Sequence, residues 1–337
     1  MDIQTAIKSM IARQDLSGED MAAVMRQIMT GECTGSQIGG FLVGLHMKGE
    51  TVDEISAAAK VMRELATRVE VDDDHLVDTA GTGGDSSGSF NISTASALVA
   101  AAAGARVAKH GNRSMTSNSG SADVLEAAGV KLDIPPEKVA ECINNAGVGF
   151  MFAPAHHGAM KHAIGARKEL AVRTVFNVLG PLTNPAGAPN QVIGVFHAEL
   201  VELMANVLKQ LGSRHVMVVH ADDGMDEISI SAPTRVAELK HGEVSTYTIQ
   251  PQDFGMAVAP VEQLRVGSAD ESLAKIRDVF AGQPGPGHDI VCLNAGAAIY
   301  VAGCADSLEA GIEAARAAIA SGKAAAVLQD LVDESNR

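Results

Sequence analysis

Tryptophan is absent from this chain, tyrosine occurs twice and aromatics make up 3%, so aromatic stacking is not a theme of its core. Basic residues are outnumbered, 26 against 41 acidic, and the formal charge of -15 repels polyanions. That argues against nucleic acid or an anionic membrane as partner, and any phosphate-bearing ligand must be caught by local structure. Cysteine is scarce and scattered. Cys33, Cys142, Cys292 and Cys304 contain no C-x-x-C pair, which speaks against a zinc knuckle or redox dithiol and for reduced, mostly buried thiols. No run approaches the roughly 20 apolar residues that span a bilayer, and the opening MDIQTAIKSM lacks a basic region followed by an apolar signal stretch. A cytoplasmic location is expected. No internal repeat is present, and low complexity is confined to alanine-rich helical stretches.

What is present is aliphatic. The hydrophobic share of 46% in 337 residues comes mainly from Ala, Val, Leu, Ile and Met, enough for two cores or for one core with a helical appendage. Residues 1–70 carry helix-start spacings at Ser17/Asp20, Thr34/Gln37 and Thr51/Glu54, with Gly31 and Gly49 at helix ends. They predict about four helices and no strand, closed by the acidic run Asp72-Asp73-Asp74 at a domain joint. From residue 76 short apolar runs (LVDTA, ARVAKHG, VGFMFAP, QVIGVFH, HVMVVHA) alternate with helical stretches, the pattern of an α/β domain over 75–337 with a mostly parallel sheet flanked by helices. Residues 228–250 read as antiparallel strands, residues from 268 onward as helices, and TNPAGAPN as a loop.

Three constellations carry chemistry. Thr79 to Asp85 reads TAGTGGD, a glycine turn between a strand and a helix starting near Ser93, where backbone N–H groups and the helix N-terminus suit a phosphate. It is neither a Walker A loop nor a dinucleotide fingerprint, and a merely structural turn is the plain alternative. Asn91-Ile92-Ser93-Thr94 adds three polar side chains at that helix start, of which capping accounts for one. Lys109 to Ser114, continuing through Ser117 and Ser119 to Asp123, reads as a second loop suited to phosphate oxygens, with a solvated loop as the alternative. Asp222-Asp223-Gly224-Met225-Asp226-Glu227 follows a strand and suits Mg²⁺, or is an exposed acidic turn. His156, His157 and His162 are expected on one helix, lining a wall. Arg167 and Arg173 flank the end of that helix, suited to a carboxylate or to surface exposure.

Taken together, GTGGD, NIST, KHGNR, SGSAD, N-x-L-G-P-L-x-N-P at 177–185 and DGMDE at 223–227 resemble the anthranilate phosphoribosyltransferase family over essentially the whole chain. The resemblance implies a small all-helical N-terminal domain, joined by helices around 165–185, and a larger α/β domain of the nucleoside phosphorylase and phosphoribosyltransferase kind. It implies a homodimer formed through the N-terminal helices, a hinge, and transfer of the phosphoribosyl group of 5-phosphoribosyl 1-diphosphate to anthranilate with release of diphosphate. By resemblance, Gly81, Gly84, Asp85, Ser89, Asn91, Ile92, Ser93, Thr94, Lys109, His110, Gly111, Asn112, Arg113, Ser114, Met115, Thr116, Ser117 and Ser121 hold the phosphoribosyl diphosphate. Gly81, Asn112 and Arg167 meet anthranilate; Ser93, Asp226 and Glu227 hold two Mg²⁺ ions. No catalytic residue is assigned, although His110 stands as a candidate proton acceptor. Gly158 and Asn118 depart from the family pattern, which has His-His-Pro and often lysine there. A pyrimidine nucleoside phosphorylase is the rival enzyme, expected to be longer and without the Mg²⁺ carboxylates. A silent nucleic-acid-binding relative would need a basic stripe that this chain lacks.

Overall fold

The computed structural model describes residues 1–85, 87–114 and 119–337. The N-terminal segment forms α1 (Ile3–Ile11), α2 (Gly18–Thr30), α3 (Gly35–Lys48) and α4 (Val52–Leu65). Their starts follow from the side chains: Ser17 accepts the Asp20 N–H, and Thr34/Gln37 and Thr51/Glu54 close reciprocal capping boxes. Gly31 ends α2 at φ 84°, a left-handed conformation that costs glycine least.

The chain continues as β1 (Leu76–Gly81), α5 (Ile92–Ala102), β2 (Arg106–Gly111), α6 (Ser121–Ala127), α7 (Pro136–Ala146), β3 (Val148–Phe152), α8 (Ala153–His156), α9 (Lys161–Leu170) and α10 (Phe176–Leu179). It ends with β4 (Asn190–Gly194), α11 (Leu200–Gln210), β5 (His215–Ala221), β6 (Thr234–Lys240), β7 (Glu243–Ile249), α12 (Ala269–Phe280), α13 (Pro286–Val301), α14 (Leu308–Ala320) and α15 (Lys323–Asn336). Among the described residues the strands make one seven-stranded sheet in the order β3-β2-β1-β4-β5-β6-β7. The first five are parallel; β6 and β7 add on antiparallel.

Strand alternation splits the interior into two layers. On β5, Met217 and Val219 face a core built with α5, α13 and α14, while Val216 and Val218 face a core shared with α11 and the N-terminal helices. The helical segment buries its apolar face through α4 against α11, which in turn covers β5 and β6 on the sheet's second side, and each fully buried Leu or Ile contributes about 1.5–3 kcal/mol. On the first side α13 and α14 cross closely at Gly296 and Gly311; a Cβ on Gly296 would stand 2.6 Å from Ile312 Cγ1. α9 packs against α2 and α3, and α10 against α4.

The topology locates a crevice. From central β1 the chain winds outward through β2 and β3, then returns to β4 on the other side, so the loops after β1 and β4 diverge at the carboxyl ends of neighbouring strands. Ligands of open α/β sheets bind at such a switch point.

Candidate functional site

β1 and β4 end side by side, Gly81 opposite Gly194. Beyond them the Thr82 N–H donates to the Gly194 carbonyl at 2.9 Å, and the Gly83 N–H donates to Asp226 Oδ2 at 2.9 Å. Gly83 and Gly84 take φ values of 66° and 81°, which favour glycine. A Cβ on Gly81 would sit 2.7 Å from Asp226 Oδ2, and one on Gly194 would overlap the Asp226 backbone. Gly81, Gly83 and Gly194 thus let the acidic turn after β5 lie directly on the phosphate-type loop. Arg173 closes the loop from the other side, donating to the Gly84 carbonyl at 2.8 Å while stacking over the Phe196 ring at 4.0 Å. Asp85 lies beside Asp226, and Ser89 bridges to Arg265.

Asn91 caps α5 by accepting the Thr94 N–H at 3.0 Å, and also donates to the Ser119 carbonyl at 3.0 Å. Ser272 accepts the Asn91 N–H at 2.8 Å, fixing the cap residue to α12. Thr94 Oγ1 is buried without a partner among the described residues. Ile92 belongs to the core, so only its backbone is left for a ligand.

The second expected loop begins later than the sequence suggested. Lys109, His110 and Gly111 are the last residues of β2, paired with Phe150, Met151 and Phe152. Lys109 is 2% exposed and turns inward, donating to the Thr79 carbonyl at 2.5 Å and to Ser93 Oγ at 3.2 Å. Burial lowers its pKa, opposed by Asp78 and Glu227. Arg113 is paired with Asp123 at 3.0 Å and Glu126 at 2.7 Å, which raises its pKa, and so is held along α6. Asn112 is exposed, its Oδ1 accepting the Arg113 N–H at 2.8 Å; Ser114 donates its N–H to Asp123, and Ser121 reaches Asn91 Oδ1 at 3.5 Å. Met115, Thr116, Ser117 and Asn118 lie outside the described residues.

His156, His157 and His162 do not share one helix. His157 sits at φ -114°, ψ 54°, which ends α8; a 3-10 turn over Gly158–Met160 follows before α9 carries His162. The rings explain the break: His156 Nδ1 bonds the Thr67 carbonyl at 2.8 Å, and His157 Nε2 meets His110 Nε2 at 3.2 Å. His110 also donates to the Gly180 carbonyl, and burial followed by repulsion from His157 lowers its pKa to about 3. It is a neutral imidazole whose remaining nitrogen is already engaged.

Asp226 and Glu227 face the loops from the acidic turn. Burial, then the charge of Asp85, pushes Asp226 up to about 7, and burial followed by Asp226 raises Glu227 well above the usual carboxylate range. Glu227 accepts the Ser93 N–H, so the α5 N-terminus supports it. Asp222 and Asp223 turn away, to Arg235 and to Ser229 and Ser231. Among the described residues no group of three His, Cys, Asp or Glu side chains is gathered around one point. A cation here would rest on two carboxylates and the Ser93 hydroxyl, with ligand oxygens completing its shell, which is what Mg²⁺ accepts. Two crowded, desolvated carboxylates facing one buried lysine fit that donor set.

Arg167, in the last turn of α9, stacks over Phe176 at 5.1 Å. Among the described residues it forms no ion pair, and no hydrogen bond links it to Gly81 or Asn112. Sequence reasoning passed over Asp78, an acid inside the apolar LVDTA. It accepts from the His110 N–H at 3.0 Å and Asn184 Nδ2 at 2.8 Å, and burial raises it to about 6. An isolated carboxylate in a strand otherwise buried on both faces was the available signal.

Residues 73–325 match the glycosyl transferase family model described as its a/b domain, and residues 4–66 its helical bundle domain. The anthranilate phosphoribosyltransferase of Thioalkalivibrio sulfidiphilus is 69% identical over 332 residues, 98% of each chain. The solved anthranilate phosphoribosyltransferase of Thermus thermophilus is 45% identical with a TM-score of 0.94, covering 98% of this chain and 99% of that one. The Saccharomyces cerevisiae enzyme, solved in complex with PRPP and Mg, is 25% identical with a TM-score of 0.89 over 99% and 98% of the two chains.

Proposed function

The chain belongs to the anthranilate phosphoribosyltransferase family, and from that membership we propose which of its residues carry the reaction. The reaction moves the 5-phosphoribosyl group from 5-phosphoribosyl 1-diphosphate to the amine of anthranilate and releases diphosphate, a step of tryptophan biosynthesis. The observation that carries the residue assignment is the contact between the Gly83 N–H and Asp226 Oδ2 at 2.9 Å, which joins the glycine loop to the acidic turn at the switch point. In this reading Gly81, Gly84, Asp85, Ser89, Asn91 to Thr94, Lys109 to Ser117 and Ser121 bind the phosphoribosyl diphosphate. Gly81, Asn112 and Arg167 meet anthranilate, Arg167 opposite its carboxylate.

The bond from the anomeric carbon to diphosphate breaks with its electron pair leaving on oxygen, and the amine nitrogen forms the new bond. The glycine loop and the α5 N-terminus hold the donor in place, and Lys109 adds positive charge below them. Asp226, Glu227 and Ser93 hold Mg²⁺, two ions per subunit. When bound, Mg²⁺ offsets the charge that collects on the leaving diphosphate. An arylamine attacks through a lone pair free at neutral pH, so no strong base is needed, in keeping with a His110 pushed down to about 3. The proton released leaves to solvent, since His110, neutral and with both ring nitrogens engaged, is a poor acceptor.

A homodimer belongs to the same proposal. Ile11, Met47, Ile164 and Val172 are 77%, 69%, 46% and 55% exposed on or just after α1, α3 and α9, helices that pack on one another and present apolar surface. Sedimentation of the full chain as a monomer would remove this part. Four unpaired cysteines suit the cytoplasm, and no helix among the described residues is long and apolar enough to cross a membrane.

The test of the whole reading is loss of anthranilate fluorescence on adding phosphoribosyl diphosphate, with and without Mg²⁺. Mg²⁺-dependent loss coupled to diphosphate release is expected; loss of equal rate in chelator would overturn the metal assignment.

A further inference from the structure

α13 runs under the site, packed against α5, and carries Asn294, which is 3% exposed. The Asn294 Oδ1 accepts the Ile228 N–H at 2.9 Å, while Nδ2 donates to the carbonyls of Ile228 and Ile290, each at 2.9 Å. Both donors and one acceptor lone pair of the amide are used. Ile228 lies between β5 and β6, outside either strand, and its buried N–H and C=O need partners that the sheet does not supply. One side chain supplies both. The residue so held comes directly after Asp226 and Glu227. Asn294 also shares with Ser93, Ser96, Thr79 and Glu227 the wall of a cavity of about 10 Å³, room for one water, and Ser96 Oγ there is buried without a partner among the described residues.

We propose that Asn294 is a positioning residue for the carboxylate pair. By locking Ile228 onto α13, which packs on α5, it sets the spacing between the Glu227 carboxylate and the Ser93 hydroxyl. The inference rests on the reading that Asp226, Glu227 and Ser93 hold Mg²⁺. A cation with short, fixed bonds tolerates little error in that spacing, so loss of the lock falls on metal and donor binding before it falls on anthranilate.

The experiment uses Asn294→Ala and Asn294→Ser in the full chain. Calorimetry with phosphoribosyl diphosphate and Mg²⁺, without anthranilate, reads binding apart from turnover. Steady-state assays read the Mg²⁺ concentration for half-maximal rate and the KM for anthranilate, and circular dichroism reads the fold. For Asn294→Ala we expect at least a tenfold rise in half-saturating Mg²⁺ and at least tenfold weaker donor binding. The KM for anthranilate should stay within twofold, and Asn294→Ser, which puts a hydroxyl in place of the amide, should fall between. Folded variants with wild-type Mg²⁺ response and donor binding overturn the inference, whatever happens to kcat. If Asn294→Ala does not fold, Asn294→Ser decides by the same criteria; if neither folds, the side chain is structural and the inference falls. Asp226→Asn with Glu227→Gln separates the two readings. A wild-type Mg²⁺ response there sinks the metal assignment itself, whereas loss of response there with a normal response in the Asn294 variants sinks only the positioning role.

Discussion

β5 lies between two clusters of buried acid that were built in opposite ways. Beside its first residue, Glu238 on β6 accepts from His215 Nε2 at 2.8 Å, Tyr300 Oη at 2.8 Å and Tyr247 Oη at 2.7 Å, so both tyrosines of the chain are spent on one carboxylate. Burial pushes this acid up, but the three hydrogen bonds outweigh burial and hold it down at about 2. Past the last residue of β5, Asp226 and Glu227 have backbone N–H partners from Gly83 and Ser93, and otherwise face each other, Asp85 and Lys109. Both are pushed up. The same sheet satisfies an acid fully where only packing is at stake, and leaves two acids crowded where a ligand completes them. Perturbed acids of the second kind mark function.

The comparison breaks most visibly if the crowded pair is neutralised. Asp226→Asn with Glu227→Gln should lower turnover at least a thousandfold and abolish the Mg²⁺ response. In chelator, the same protein should be more stable than wild type by about 1 kcal/mol, because it no longer holds two buried acids whose ionisation burial and mutual proximity oppose. Assay and melting curve are read on one preparation. A double variant that melts below wild type would show these acids to be structural after all.

Arg167 sharpens the rule with the opposite charge. It is half-buried, stacked on Phe176 and without an ion pair among the described residues, so its carboxylate is expected to arrive with the substrate. Arg167→Ala should raise the KM for anthranilate by about tenfold or more, the loss of one charge-assisted hydrogen bond worth about 1.5–3 kcal/mol, and leave the KM for phosphoribosyl diphosphate near wild type. A rise confined to the second substrate would move Arg167 to the diphosphate side.

The sequence announced the parts whose cause is local. Capping pairs at Ser17, Thr34 and Thr51 stand three residues apart, and each works as its spacing requires. The glycine turn at 81–84 was legible for the same reason. Lys109 to Gly111, at the end of the apolar run ARVAKHG, also reads as the start of a loop because of its polarity; Lys109 and His110 are buried, and Lys109 spends its charge on the Thr79 carbonyl. What stayed hidden depends on residues far apart in the chain. Gly194 looks like any strand glycine until Asp226 lies on it, 32 positions later; Asn294 looks like helix filler until Ile228 is brought to it, across 66 positions. The three histidines misled because positions i, i+1 and i+6 lie on one helix only if it is unbroken, and ring contacts with Thr67 and His110 accompany its break.

Glu238 gives the gentler test, since here the comparison predicts stability without catalysis. Glu238→Gln keeps the volume but turns an amide NH₂ toward groups that already donate, stranding at least one of Tyr247, Tyr300 and His215. A cost of about 2 kcal/mol is expected from urea unfolding at pH 7, with kcat and both KM values unchanged. The pH dependence has a definite sign. A carboxyl held at about 2 in the fold and near 4.5 when unfolded contributes stability that is complete above about pH 5 and is lost as pH falls toward 2. Wild type should therefore lose its advantage over Glu238→Gln between pH 5 and pH 2, and the two unfolding curves should converge there. An advantage that stayed constant over that range would mean that shape, not charge, holds the β6–β7 hairpin to α13. Glu238 would then differ from Asp226 only in where it sits, not in how the fold treats its charge.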